Sequence, residues 1–151
     1  MNRRLAYVLA TWFGCGLVPR APGLAGTLGA LPLYLLLRGG GPVRVLGAAL
    51  VLAGLGIWAS GPVIVATRKK DPQIIVIDEV VGVLITLAAS APTWSSVVAG
   101  VVLFRIFDQW KPWPARSLES LRDGWGVVMD DVAAGVWGAA ALLAARKAGL
   151  P

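Results

Sequence analysis

The sequence contains no histidine and a single cysteine, and only 15% of its 151 residues are charged. Without histidine, His-ligated zinc sites and imidazole acid–base chemistry are excluded. The lone Cys15 rules out an internal disulfide and any cysteine-cluster metal site. A metal bound by this chain must therefore be held by oxygen, which points to Mg2+, Mn2+ or Ca2+. Acids are scarce as well, 8 against 14 Lys and Arg, for a net charge of +6. The basic residues form short clusters beside apolar runs: Arg3-Arg4, Arg68-Lys69-Lys70, and Lys111 to Arg122. That distribution sets topology in a membrane and suits an anionic lipid headgroup. It is not the aromatic-interleaved patch of a nucleic-acid binder, so no nucleic-acid partner is expected.

Apolar residues are abundant. They make up 57% of the chain, and mean hydropathy is +0.74, a composition shifted toward membrane proteins. The pattern predicts one all-α domain over residues 1–151, a compact multi-helix integral membrane bundle. Arg3-Arg4 resembles the charged start of a signal peptide, but no small-residue cleavage site follows, so none is expected. Apolar helices are predicted over Leu31–Leu37, Val43–Ala66 (kinked at Gly61-Pro62), Ile74–Ser90, Ser95–Trp110 and Gly126–Ala145. The stretch Gly14–Ala30, GCGLVPRAPGLAGTLGA, has too much Gly and Pro for a continuous helix and reads as a loop dipping toward a site.

The acids are misplaced for such a protein. Asp78-Glu79 sits in IIVIDEVVGVLITL, Asp108 ends VVAGVVLFRIFDQW, and Asp130-Asp131 opens VVMDDVAAGVWGAAALLAA. Charge in an apolar segment is costly, and adjacent carboxylates raise each other's pKa unless a cation lies between them. With the basic clusters on the cytoplasmic side, all five acids fall within roughly 12–14 Å of one face, at about 1.5 Å per residue. Carboxylate-bound Mg2+ beside cationic side chains is an arrangement for handling phosphate. Arg105 and Lys111 flank Asp108 at three-residue spacing, and Gly26-Thr27 is expected at a helix start, as anion site and cap.

Structural readings compete with each of these. First-turn acids favour the helix dipole, Gly135 and Gly138 suit helix packing, and most tryptophans suit the membrane interface. Asp71, Glu119 and Asp123 fall in polar loops and are expected to be solvated. Two adjacent acid pairs plus Asp108 favour a site over this structural alternative.

Four blocks in order resemble those of the phosphatidylglycerophosphatase A family of bacterial membrane lipid phosphatases. They are Gly14–Ala30, DPQIIVIDEVVG (Asp71 to Gly82), FRIFDQWKPWPAR (Phe104 to Arg116) and GWGVVMDDVAAG (Gly124 to Gly135). The chain departs where the family usually has Thr after Pro-Gly: here Leu24 and Ala25 precede Gly26. The resemblance implies Mg2+-dependent hydrolysis of phosphatidylglycerophosphate to phosphatidylglycerol and inorganic phosphate. The setting would be a multi-pass protein of the bacterial inner membrane with its site facing the cytoplasm. It implies catalytic roles for Asp78, Glu79, Asp108, Asp130 and Asp131, with Arg105 and Lys111 beside them on the phosphate, where Thr27 and Gly26 of the Gly-rich loop are the further candidates. Metal ligands are expected among Asp78, Glu79, Asp130 and Asp131, with Glu79 or Asp108 orienting water. The alternatives are a divalent-cation carrier or scaffold, and a CDP-alcohol-type phosphotransferase, whose Asp-Gly-x-x-Ala-Arg core is absent here.

Overall fold

An apolar run interrupted by two acids becomes the innermost element of the chain. The structure, a computed structural model, describes residues 2–149, and all regular secondary structure among them is helical. The helices are α1 (Arg3–Ala10), α2 (Pro22–Gly29), α3 (Leu31–Leu37), α4 (Gly41–Thr67), α5 (Ile77–Leu87), α6 (Trp94–Trp110), α7 (Ala115–Leu118) and α8 (Asp123–Lys147). Nearly every residue of α5 is buried, because α2, α4, α6 and α8 all pack against it. A helix enclosed on all sides needs no polar face, which explains why α5 is apolar after Asp78-Glu79 except for Thr86.

Glycines set how closely these helices approach. Gly82 of α5 meets Gly135 of α8, where a Cβ on Gly135 would lie 2.5 Å from the Gly82 carbonyl oxygen. One turn on, Gly138 faces Thr86, whose Oγ1 donates to the Gly135 carbonyl at 3.0 Å. Further on, Arg146 Nη1 donates to Ala89 O. The two helices therefore run parallel. Gly100 of α6 meets Leu87 while Phe104 covers Gly82, so α6 runs antiparallel to α5. Small residues of this kind let backbones close to contact. Thr86→Val removes the interhelical hydroxyl and is expected to lower stability in detergent by about 0.5–1.5 kcal/mol. Equilibrium unfolding followed by helical circular dichroism would measure it.

Several boundaries differ from the sequence expectation. Helix α5 begins at Ile77 rather than Ile74, because Ile75 N–H bonds back to Pro72 O and Val76 N–H to Ala10 O. Asp78 and Glu79 consequently stand in its first turn. Helix α8 begins at Asp123, so Asp130 and Asp131 lie well inside it and not at its start. Within the Gly/Pro stretch, Pro22–Gly29 is helical, led by Pro22, whose fixed φ suits a first helical position. Pro62 sits inside an uninterrupted α4. Leu31–Leu37 forms the helix expected of it.

The outer faces are apolar. On α6, Val98, Val102 and Ile106 recur four residues apart and are exposed, while Val97, Gly100 and Phe104 point inward. Leu36, Val43, Leu50 and Val65 are likewise exposed. Two helical stretches, Pro22–Thr67 and Asp123–Lys147, are long and apolar enough to cross a membrane. Trp110, Trp113 and Trp125 are exposed, whereas Trp12 is buried and donates to Gly29 O at 2.8 Å, a packing role and not an interfacial one.

Candidate active site

The α5–α8 crossing fixes the site. Asp78 precedes Gly82 by four residues and Asp131 precedes Gly135 by four, so each stands one turn before the contact, on the same face as its glycine. Oxygens of Asp78, Glu79 and Asp131 come within 4.8 Å of one another. Asp78 and Asp131 are almost fully buried. Glu79 Oε2 and Asp131 Oδ2 are buried without a hydrogen-bond partner. A helix N-terminus stabilises an acid by about 0.3–1 kcal/mol, well short of the several kcal/mol that each buried ion costs. The dipole also cannot reach Asp131, deep in α8. The triad therefore fits an oxygen-coordinated divalent cation, which would take up those two unpaired oxygens.

Asp108, on the last turn of α6, stands beside Asp131. Its Oδ2 lies 3.0 Å from Arg105 Nη1, and Glu79 Oε1 lies 4.0 Å from the same atom. Yet Arg105 Nη1, itself buried, is aligned with neither as a hydrogen-bond donor. Asp108 and Glu79 hold the guanidinium by charge and leave that donor free. Gly23 of α2 lies over this pair: a Cβ there would overlap Glu79 Oε1 and come within 3.3 Å of Arg105 Nη1.

Asp130 points away from the triad. Its Oδ2 accepts from Lys111 Nζ at 2.7 Å, and Glu119 Oε2 lies 3.6 Å from that ammonium. Lys111 is the left-handed cap of α6, with φ 49°. Partial burial alone would lower its pKa, but the hydrogen bond and charge of Asp130 reverse this and raise it. The lysine therefore stays cationic at neutral pH. Asp71 enters from the rim, and although partly exposed, it sits deep enough that desolvation pushes its carboxyl up, against the pull of Lys111.

These groups line a cavity of about 860 Å3, walled on one side by the segment from Gly16 to Leu24. The structure thus brings together Asp78, Glu79, Asp108, Asp131 and Arg105, with Asp130 and Lys111 as an adjoining pair. It does not bring Gly26 or Thr27 to the site. Helix α2 starts four residues before Gly26, Thr27 is fully buried with its Oγ1 donating to Gly23 O at 2.9 Å, and Gly26 packs on Val76. The expected cap at Gly26-Thr27 is therefore corrected: the α2 residues that face the cavity are Pro22, Gly23 and Leu24. Asp71 is exposed, as expected, and also lines the cavity, while Glu119 stays solvent-accessible beside Lys111. Asp71 lies beside a basic turn, and nothing in the sequence separates it from a surface acid. Arg20, Gln73 and Gln109 also line the cavity, and only their nearness to the acidic blocks could have marked them.

A family model described as phosphatidylglycerophosphatase A matches residues 8–146. The chain belongs to that family. Among its relatives, phosphatidylglycerophosphatase A of Escherichia coli K12 is 38% identical over 134 residues, 86% of this chain and 77% of the relative. Phosphatidylglycerophosphatase A of Haemophilus influenzae is 39% identical, covering 87% of this chain and 82% of its own. A Bacteroides thetaiotaomicron protein provisionally named phosphatidylinositol-3-phosphatase is 39% identical over 94% of both chains. No solved structure matches. As a member of the phosphatidylglycerophosphatase A family, the chain is a phosphatase, and the matched span includes all the carboxylates of the cavity.

Proposed function

We propose that this phosphatase hydrolyses the terminal phosphate monoester of phosphatidylglycerophosphate, giving phosphatidylglycerol and inorganic phosphate, and that it uses Mg2+. The observation that carries this is the triad of Asp78, Glu79 and Asp131, with two buried, unpaired oxygens beside the free Nη1 donor of Arg105. When bound by that triad, Mg2+ supplies Lewis-acid polarisation of a phosphoryl oxygen. The chain's own residues supply the rest. Arg105 donates to the non-bridging oxygens, held in place by Asp108 and Glu79. Asp108 is the carboxylate outside the metal triad that is close enough to accept the proton of an attacking water. Lys111, kept charged by Asp130, adds positive charge at the phosphate without serving as a proton donor. Water adds at phosphorus, the P–O bond to glycerol breaks, and the departing oxygen takes a proton from solvent at the cavity mouth.

The surroundings support a lipid substrate. Exposed apolar faces on α3, α4, α6 and α8 suit a bilayer, within which the chain is a multi-pass bundle. Lys70 lies beside Asp71, Glu119 and Asp130, and Arg68, Lys69, Arg116 and Arg122 are near cavity residues in sequence. Arg38 and Arg146 instead reach Pro92 and Ala89 at the far end. On the positive-inside rule we assign the cavity end to the cytoplasm. An ion path should carry polar groups across the bundle. Below the triad, however, the buried face of α5 is apolar except for Thr86, which is committed to the Gly82 and Gly135 carbonyls. That disfavours a cation carrier.

The test is phosphate release by detergent-purified protein from phosphatidylglycerophosphate and, in parallel, from phosphatidylinositol 3-phosphate, with Mg2+ or with EDTA. Mg2+-dependent release from the first lipid and little from the second is the expected result. Release that persists in EDTA would remove the metal from the proposal, and preference for the second lipid would change the substrate. Independently of turnover, Mg2+ should raise the thermal midpoint. Saturation at about 100-fold over Kd corresponds to about 2.7 kcal/mol.

A further inference from the structure

The cavity is much larger than one phosphate needs and falls within the usual range for whole small-ligand sites. Three cations line it: Arg20, Arg105 and Lys111. Arg105 is held by Asp108 and Glu79, and Lys111 by Asp130 and Glu119. Arg20 has no carboxylate within salt-bridge distance among the described residues. Its backbone is also unusual, with φ 72°, a left-handed conformation uncommon for a long side chain. Prolines 19 and 22 bracket it, so the segment has little freedom to relax elsewhere.

The order of residues along this wall parallels the chemistry of the proposed substrate. Gly23 lies directly on Glu79 and Arg105. Arg20 is three residues earlier, within roughly 10 Å of chain. Leu17, Val18 and Leu24 are exposed apolar side chains on the same wall. A phosphatidylglycerophosphate molecule has a similar order: monoester phosphate, glycerol, diester phosphate, then acyl chains. We propose that Arg20 binds the diester phosphate, the one that remains on the lipid, and so selects lipids carrying a second phosphate one glycerol away from the scissile one. This rests on the phosphatase reading above and deepens it.

The experiment compares wild type, Arg20→Gln and Arg20→Lys in detergent–lipid micelles. It measures KM and kcat for phosphatidylglycerophosphate, and inhibition constants for phosphatidylglycerol and for inorganic phosphate. The diester is common to substrate and lipid product and absent from inorganic phosphate. Arg20→Gln should therefore raise KM and the phosphatidylglycerol inhibition constant together, by about tenfold or more. The loss should appear in KM and not in kcat, the inorganic phosphate constant should not follow, and Arg20→Lys should recover part of the difference. If all three constants rise together, Arg20 serves the monoester pocket or the fold, and the assignment is overturned. It is also overturned if the phosphatidylglycerol constant does not move. If wild type releases no phosphate from phosphatidylglycerophosphate, the phosphatase reading fails first and the assignment fails with it.

Discussion

Asp131→Asn should lower phosphate release by about 10²–10³-fold and remove most of the response to Mg2+. At 1.36 kcal/mol per decade, that is about 3–4 kcal/mol of transition-state stabilisation. The substitution preserves shape and removes one of three carboxylates whose oxygens lie within 4.8 Å of each other. Removing like charge from such a cluster relieves repulsion, so in EDTA the variant should melt no lower than wild type. An inactive variant with a preserved midpoint would place the loss in the chemistry; a collapsed midpoint would say that Asp131 holds the fold. Its neighbour provides the contrast. The Asp130 carboxylate accepts from Lys111 Nζ and from the Asp131 backbone N–H and lies outside the three-carboxylate cluster, so Asp130→Asn should cost about tenfold, the loss of one charge-assisted contact, and leave the Mg2+ response intact. Equal effects at the two positions would contradict the division of labour proposed for them.

Gly135→Ala should be nearly as damaging, although the residue touches no substrate. The added methyl would meet the Gly82 carbonyl oxygen at 2.5 Å and the Gly82 Cα at 3.0 Å. These are backbone atoms, so no rotamer change relieves the clash and the helices must separate. Overpacking of this kind costs about 1–3 kcal/mol. Because Asp78 and Asp131 ride one turn from the contact, a shift of about 1 Å there should lower kcat by about 100-fold. Gly61→Ala in α4, where a Cβ would meet nothing within 4 Å, is the control and should leave both stability and turnover near wild type. Unimpaired turnover in Gly135→Ala would mean the crossing does not set the carboxylate spacing.

Much of this site was legible because charge inside apolar sequence has few structural uses. Asp78, Glu79, Asp108, Asp131 and Arg105 could be singled out on that ground alone, and the structure brings them to one cavity. What sequence could not supply was direction. Asp130 and Asp131 are adjacent, and only the 100° step between them on α8 sends one to the triad and the other to Lys111. Helix starts were also hidden. The N–H groups of Ile75 and Val76 are taken by Pro72 and by Ala10, the latter from a distant segment, so α5 begins later than its apolar run. Thr27 looked like a cap because Gly precedes it, yet Pro22 had already opened the helix. Asp71 and Arg20 carry no mark of burial or pairing in the sequence, and it is the tertiary path of their loops that makes them part of the cavity wall.

The short central helix has a consequence for how the protein is made. At 11 residues, α5 rises only about 16 Å, roughly half the ~30 Å of a hydrocarbon core. It also begins with two acids, each costing about 2.5–3.5 kcal/mol at mid-bilayer on insertion scales. In the membrane bundle proposed for this chain, such a segment does not partition into lipid by itself. It has to be carried in by its neighbours, and the partner its glycine face is shaped for, α8, is synthesised after it, beyond α6 and α7. Until α8 arrives, a nascent chain presents an open Gly82 groove and two unshielded carboxylates. Synthesis of α8 is therefore the step that closes the bundle and builds the carboxylate triad in the same event.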